Sequence, residues 1–425
     1  MSLSSAGPDV ITLGCRLNIA ESETIRAMLG RRDTVVVNSC AVTGEAVRET
    51  RRAIRRAHRH RPHSPIVVTG CAATIDAQGF AAMPEVSRVV ANADKLTPAS
   101  WDAPALPAVE AFDGHARAFV AVQTGCDHSC TFCIIPAGRG PARSFPAGGV
   151  IDRIRALVDA GHREIVLTGV DLTSYGHDLP GAPTLGTLVQ RILTHVPGLE
   201  RLRLSSLDSV EIDDALFECL AGETRVMPHV HLSLQAGDDM VLKRMKRRHS
   251  RAHAVAMVAR LKAARRDIAI GADLIAGFPT ENETMAANTA ALVADCDIVH
   301  AHIFPYSPRA GTPAARMPQV DRAAIKARAA RLRALATERK RSWLAGLVGT
   351  TQRVLVERSG DRGHAENFST VTLHAPPPGS SAPAAQGDRR TTDPAGTTEP
   401  VFQPGSIVNA RIVSSDGIAL IGTPA

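Results

Sequence analysis

Short β-branched runs alternate with amphipathic stretches through the first third of the chain. Val10-Ile-Thr-Leu-Gly-Cys15, Thr34-Val-Val-Val-Asn-Ser-Cys40 and Ile66-Val-Val-Thr-Gly-Cys71 each end in a small residue and then a cysteine. A helix-like segment follows each one: Glu21 to Leu29, Gly44 to Arg59 and Ile75 to Met83. Strand, tight turn and helix in alternation predict βαβ units around a parallel sheet. Ligands of such sheets collect outside the carboxyl ends of the strands. Three thiols set there by separate strands are positioned to converge on one point. Free cysteine is also among the most buried residue types, so three independent core thiols are the plain alternative.

A Pro- and Ala-rich stretch, Thr97 to Ala111, reads as a linker. Beyond it a second series of apolar runs begins with Phe119-Val-Ala-Val122. It continues through Glu164 to Thr168, Arg201 to Ser205, His229 to Leu234, Ile268 to Ile275 and Ile298 to Pro305. Helical periodicity fills the gaps, as at Val150 to Ala160 and Leu185 to His195. Six βα units predict a barrel or partial barrel, with functional residues at the carboxyl ends of its strands. After Arg341 the pattern changes to strict alternation. Gln352 to Glu357, Ser369 to Leu373 and Ile407 to Val413 predict antiparallel strands of a small β-barrel. Pro376 to Pro400 interrupts it with a composition that reads as a disordered loop. The expected class is therefore α/β. Its division is 1–105, 112–342, and 346–424 with an insertion at 375–400.

Composition narrows the picture. A chain of 425 residues exceeds one ordinary core. No apolar run reaches the roughly 18 residues a membrane span needs. The start MSLSSAGPDVITLGC lacks a basic segment followed by an apolar one, which predicts a cytoplasmic protein with no membrane association. Eight cysteines in such a setting argue for metal or redox use over disulfides. The formal charge is +7, a weak pointer to a polyanion by itself. Its distribution says more, because Arg48 to Arg61 holds seven arginines in fourteen positions. Arg322 to Arg341 is a second basic helical stretch. A solvated helix face is the bland reading of either.

The most specific signal is Thr124-Gly-Cys-Asp-His-Ser-Cys-Thr-Phe-Cys133, spacing C-x3-C-x2-C at Cys126, Cys130 and Cys133. Three close thiolates can hold three irons of a 4Fe-4S cube and leave the fourth open to another ligand. Zinc is the rival metal, and His128 inside the loop adds a zinc-type ligand. The cysteines Cys15, Cys40 and Cys71, at equivalent places after three strands, form a candidate second three-thiolate site. Cys219 and Cys296 lie in apolar settings and read as structural.

With these residues in view, the chain resembles the radical S-adenosylmethionine methylthiotransferases. The likeness rests on TLGCRLNIAESE, VVNSCAVTGEAVRETRRAIRRA and VVTGCAA in the first third. In the middle it rests on QTGCDHSCTFCIIPAGRGPARS, LTGVDLTSYG, RLRLSSLD, HLSLQAGDD and GADLIAGFPTE. HLSLQAGDDMVLKRMKRRHSR and HIFPYSPRAGTPAARMPQV resemble the branch that acts on N6-threonylcarbamoyladenosine at tRNA position 37 and makes its 2-methylthio derivative. Cousins act on isopentenyladenosine in tRNA or on a ribosomal protein aspartate. A non-catalytic, metal-bound RNA-binding protein is the rival from another class. Ala137 departs from the family, which usually has Tyr there.

The resemblance implies an N-terminal methylthiotransferase domain, a central partial (β/α)6 radical barrel and a TRAM-like RNA-binding barrel. It implies two 4Fe-4S clusters, on Cys126, Cys130 and Cys133 and on Cys15, Cys40 and Cys71, the second carrying the sulfur to be transferred. S-adenosylmethionine is the cofactor, with candidate contacts at Phe132, Thr168, Gly169, Ser205, Gln235, Gly271 and Glu281. Partners are a tRNA anticodon stem-loop, met by Arg48, Arg51, Arg52, Arg55 and Arg56, and an electron donor of flavodoxin or ferredoxin type. No catalytic residue beyond the cluster ligands is assigned.

Overall fold

A cysteine follows each of the first three strands, three residues on after the first and immediately after the other two. The computed structural model describes residues 7–107, 112, 115–374 and 402–425. The end of the linker stretch and the expected insertion at 375–400 lie outside the described residues. Strands β1 (Asp9–Thr12), β2 (Val35–Ser39), β3 (Ile66–Gly70) and β4 (Arg88–Val89) pair in that order, all parallel. Every residue of β2 and β3 is buried, as expected where helices cover both faces of a parallel sheet. The helices are α1 (Arg16–Leu29), α2 (Gly44–His60), α3 (Cys71–Ile75) and α4 (Ala77–Ala81). Two differ from the sequence pattern. Helix α1 starts directly after Cys15, five residues before Glu21. The single helix expected from Ile75 to Met83 is two short ones, because Asp76 leaves helical geometry (φ −129°, ψ 54°) and its carboxylate caps the Gly79 N–H.

The central body runs from β5 (Arg117–Ala121) through the small hairpin of β6 (Gln123–Thr124) and β7 (Arg143–Ser144), which flank α5 (Ile135–Arg139). Then come α6 (Ala147–Asp159), β8 (Glu164–Thr168), α7 (Leu185–His195), β9 (Arg201–Leu204) and α8 (Asp214–Gly222). They are followed by β10 (His229–Gln235), α9 (Asp239–Met245), α10 (Arg251–Ala264), β11 (Ala269–Ala276), α11 (Glu283–Asp295), β12 (Ile298–Pro305) and α12 (Arg322–Ala345). Strands β5-β8-β9 form one parallel sheet and β10-β11-β12 another. The single bridges Leu202↔Val226 and Leu207↔Leu232 join them into a six-stranded partial barrel. Helix α1 of the first body packs beside β5.

Alternation decides what each barrel face carries. Ile165, Leu167, Leu202, Leu204, Val230, Leu232, Ile270, Ala272 and Leu274 bury against the helices, and Cys219 and Cys296 join that core. The alternate positions, among them Glu164, Arg201, Arg203, His229, His231, Asp273 and His300, line a polar interior.

Strands β13 (Thr351–Val356), β14 (Arg362–Ala365), β15 (Thr370–Leu373), β16 (Ile407–Ser415) and β17 (Leu420–Pro424) close a five-stranded barrel in the order β13-β14-β15-β17-β16. It docks on the amino-terminal end of the central strands. Arg203 donates to the Ala365 and Glu366 carbonyls (2.8 and 2.9 Å), and Arg201 donates to the Arg353 carbonyl (2.9 Å).

Candidate active site

Cys126, Cys130 and Cys133 sit on the loop after β6. Gly125 turns the chain into it at φ +71°, where a Cβ would fall 1.8 Å from the Pro141 carbonyl oxygen, so no other residue fits. Thr131 anchors the loop's middle. Its N–H donates to Met245 (3.1 Å), its hydroxyl donates to the Arg244 carbonyl (2.8 Å), and its carbonyl accepts from Ala314 (2.9 Å). The amides of His128 and Ile135 point at the sulfurs of Cys126 and Cys133, each at 3.4 Å, and Arg247 Nη1 lies 3.6 Å from Cys130 Sγ.

Burial pushes the Cys126 thiol up to about 12 and the Cys133 thiol up to about 11. Both are protonated at neutral pH unless a metal cation draws the protons off. Amide donors and a guanidinium aimed at sulfur then stabilise the thiolates. Among the described residues, the trios of ligand atoms within 4.8 Å of one another are Cys126–His128–Asp171 and His231–Asp273–His302. Neither cysteine trio is that tight. Sulfurs on one zinc at about 2.3 Å stand roughly 3.8 Å apart, closer than either trio is set. His128 pairs with Asp171 (Nε2 to Oδ2, 2.7 Å), and that contact raises its pKa against the effect of burial.

The other trio is assembled by the sheet. At Gly14 (φ +98°) an added Cβ would stand 2.7 Å from Cys40 Cβ and 2.9 Å from its sulfur, so the Cys15 turn lies directly against Cys40. Asn18 ties the two turns, its Nδ2 donating to the carbonyls of Leu13 (2.7 Å) and Ser39 (3.1 Å). Arg139, at the end of α5, reaches in from the loop trio's side. It donates to Glu21 (2.8 Å) and to Asn18 Oδ1 (2.5 Å). Lys95 pairs with the same Glu21 carboxylate, and all three charged side chains are buried. Against the penalty of burial, Lys95 and Arg139 hold Glu21 below the usual carboxylate range. Burial raises Cys40 and Cys71, while Arg139 pulls both back and Lys95 helps at Cys71.

The two trios open on one region. A Cβ at Gly138 of α5 would stand 3.0 Å from Cys71 Cβ. Ile134, next to Cys133, is buried in the same core cluster as Cys71. The Gly44 N–H at the start of α2 donates to Ser307 Oγ beyond β12 (3.2 Å).

The remaining candidates occupy varied settings. Phe132 stands edge-on to Phe278 with ring centroids 6.4 Å apart. Thr168 ends β8 and Gly169 follows; the next amides, Val170 and Asp171, donate to Gln123 Oε1 at 3.0 Å. The Ser205 hydroxyl is buried without a hydrogen-bond partner among the described residues. Gln235 turns the end of β10 at φ +65°. Gly271 makes room for a neighbour, since a Cβ there would lie 2.3 Å from His231 Nδ1. Glu281 accepts from the Gly277 N–H (3.3 Å) and from Arg328 (3.1 Å), and burial pushes its carboxyl up. On α2 each named arginine meets a carboxylate: Arg48 and Arg52 meet Glu45, Arg52 and Arg56 meet Glu49, Arg51 meets Asp76, and Arg55 meets Glu85.

Sequence reasoning missed several groups. Arg139, Lys95, Asp171 and Arg247 become neighbours of the thiols only in the folded chain, although Arg139 lies six residues past Cys133. Inside the barrel, Asp273 Oδ1 lies 3.0 Å from both His231 Nε2 and His302 Nδ1. Burial opposes the ionised Asp273 carboxyl, yet these two rings hold it well below the usual range. Arg16, the residue after Cys15, also enters the interior. Burial first, then Arg117 and Arg203, lowers its pKa to about 10.

The description of the Radical SAM superfamily matches residues 120–293, and that of the Uncharacterized protein family UPF0004 matches residues 9–91. The chain is 45% identical over 383 residues to the Threonylcarbamoyladenosine tRNA methylthiotransferase MtaB of Rickettsia prowazekii (strain Madrid E), an alignment covering 86% of this chain and 91% of that protein. It is 34% identical over 389 residues to the protein of the same name from Bacillus subtilis (strain 168), covering 84% and 86%. It is 33% identical over 387 residues to the tRNA-2-methylthio-N(6)-dimethylallyladenosine synthase of Erythrobacter litoralis (strain HTCC2594), covering 83% and 86%.

Proposed function

This chain belongs to the radical S-adenosylmethionine methylthiotransferases, and we propose that it converts N6-threonylcarbamoyladenosine at tRNA position 37 to the 2-methylthio derivative. A 4Fe-4S cluster and S-adenosylmethionine come with the family. We assign the cluster to Cys126, Cys130 and Cys133, and a second, sulfur-carrying cluster to Cys15, Cys40 and Cys71. The meeting of the two trios across α3 and α5 carries this reading, because a hydrogen-abstracting centre and a sulfur donor must reach one carbon of one base. Residues 1–105 act as the donor domain, 112–342 as the radical domain, and 346–424 as an RNA-gripping barrel around the insertion at 375–400.

When bound, the first cluster supplies the electron that cleaves the cofactor's sulfonium into methionine and a radical able to take hydrogen from carbon 2 of adenine. The protein's own groups set the conditions. Thr131 fixes the thiol loop, and the amides of His128 and Ile135 with Arg247 favour its thiolate sulfurs. Phe132 and Phe278 put apolar rings beside the cofactor and keep water from it. Thr168, Gly169, Ser205 and Gln235 offer polar contacts at strand ends, while Gly271 and Glu281 bound the stretch along its adenine. Arg139 and Lys95 place positive charge behind the donor trio. Arg48, Arg51, Arg52, Arg55 and Arg56 hold phosphates of the anticodon stem-loop. The electron donor is of flavodoxin or ferredoxin type, and the setting is cytoplasmic. Among the described residues no helix is long and apolar enough to cross a membrane.

Mass spectrometry of tRNA nucleosides from cells with and without the gene tests the substrate. The 2-methylthio-threonylcarbamoyl nucleoside disappears in the deletion while its unthiolated precursor accumulates. If that nucleoside persisted and the 2-methylthio-isopentenyl one vanished instead, the substrate assignment would be wrong.

A further inference from the structure

Among the described residues, the Arg16 guanidinium in the barrel interior makes no ion pair. Three guanidinium groups surround the ring of Phe368: Arg16 at 5.6 Å, Arg117 at 5.3 Å and Arg203 at 5.0 Å from its centroid. Arg117 pairs with Glu357 at 2.9 Å, and Arg203 pairs with Glu164 at 2.6 Å. Arg201, close by, also shares Glu164. Asp273 is engaged by His231 and His302. Arg16 touches the ring alone; among the described residues it has neither a hydrogen bond nor an ion pair. Burial first, then Arg117 and Arg203, disfavours its charge, and Glu164 and Asp273, each engaged by other partners, offset only part of that. An arriving anion relieves it.

We propose that Arg16 is the specificity-determining residue that receives the carboxylate of the substrate's threonylcarbamoyl group. The inference rests on the substrate reading above and deepens it. Arg16 follows Cys15, so its side chain leaves the backbone at the edge of the donor trio and ends in the barrel interior. In this proposal a base that presents carbon 2 to that trio extends its N6 substituent into the barrel interior toward Phe368. The substituent's carboxylate matches the planar fork of a guanidinium, which donates two parallel hydrogen bonds. A dimethylallyl substituent has no charge and would leave Arg16 unneutralised, so the same cation both selects the acidic side chain and disfavours the apolar one.

The test compares full-length, cluster-reconstituted protein binding three anticodon stem-loops. They carry threonylcarbamoyladenosine, its methyl ester, or unmodified adenosine at position 37. A charge-assisted hydrogen bond contributes about 1.5–3 kcal/mol, so the wild type prefers the free acid over the ester by about tenfold or more. Arg16→Gln loses that preference, and Arg16→Lys keeps part of it, because lysine retains the charge without the fork. Iron and sulfide contents are measured for each protein. Wild-type protein that binds ester and acid equally tightly, while still thiolating the acid-bearing RNA, overturns the inference and leaves the substrate reading intact. An undiminished preference in Arg16→Gln does the same. Wild-type protein that neither prefers nor thiolates the acid-bearing RNA removes both.

Discussion

The two cysteine trios reach the same region of the molecule by opposite routes. Cys126, Cys130 and Cys133 lie within eight residues on one anchored loop, so chain connectivity alone keeps them close. Cys15, Cys40 and Cys71 span 57 residues and are neighbours only because three parallel strands pair in register. The loop trio depends on local turns, and the sheet trio depends on the whole first body. A group that must grip and cleave a small cofactor suits the local design. A group that must present sulfur to a macromolecule suits a wall built from several strand ends.

Single thiol substitutions give the largest effect. Cys130→Ala abolishes both cofactor cleavage and thiolation. Cys40→Ala abolishes thiolation and lowers iron from about eight to about four per chain, but leaves production of 5′-deoxyadenosine from S-adenosylmethionine intact. Chromatography of the cleavage product beside iron analysis reads both. If Cys40→Ala stopped cleavage as well, the trios would be one functional unit and the contrast would fail.

Next in size is Arg139→Ala. Arg139 belongs to the loop trio's segment, yet its partners Glu21 and Asn18 belong to the sheet trio's body. Removing it leaves a buried carboxylate with Lys95 alone and the Asn18 oxygen with only the Cys15 thiol at 3.9 Å. With Lys95 still neutralising Glu21, losing these charge-assisted hydrogen bonds lowers stability by about 1.5–3 kcal/mol, read as a drop in the denaturant midpoint. The sheet trio loses iron first, because its geometry is tertiary, while the loop trio still supports cleavage. Equal loss from both trios would show that anchoring by Thr131 is not independent of the first body.

The same contrast explains what could be read in the chain beforehand. The C-x3-C-x2-C spacing is a local signal, and the sheet trio was visible because one strand–turn–Cys pattern recurs three times. The six central strands were equally plain, since burial on the helix side imposes continuous or alternating apolar runs. The break at Asp76 was hidden, because a capping carboxylate and a helical residue look alike until the backbone turns. Strands β14 and β17 were missed, being four and five residues long with a glycine in each, too short for alternation to register. The buried Glu21–Lys95–Arg139 cluster, and Arg16 with no ion pair among the described residues, left no trace in periodicity. Their partners lie 74 to 118 positions apart in the first case, and the second is defined by what the fold withholds from it.

The smallest effect on stability, and the sharpest on the division of labour, comes from α2. Its arginines lie on the helix that follows Cys40, but Arg51, Arg52, Arg55 and Arg56 are already paired with Asp76, Glu45, Glu49 and Glu85. Exposed pairs of this kind contribute about 0–1 kcal/mol each, so replacing all four arginines by Ala barely moves the melting temperature. RNA affinity responds differently, because every phosphate left without its cation makes the slope of log K against log salt shallower by roughly 0.7–0.9. The quadruple variant binds the stem-loop more weakly and with a shallower salt dependence, while cofactor cleavage at the loop trio stays at the wild-type rate. The carboxylates provide the counter-test. Glu45→Gln with Glu49→Gln frees Arg48, Arg52 and Arg56 from internal competition and tightens RNA binding at moderate salt. Opposite shifts from the two sets of variants would mark α2 as a phosphate-gripping face held in reserve by its own acids. No shift from either would leave it a solvated helix whose charges balance each other, and RNA recognition on the donor side would have to come from elsewhere.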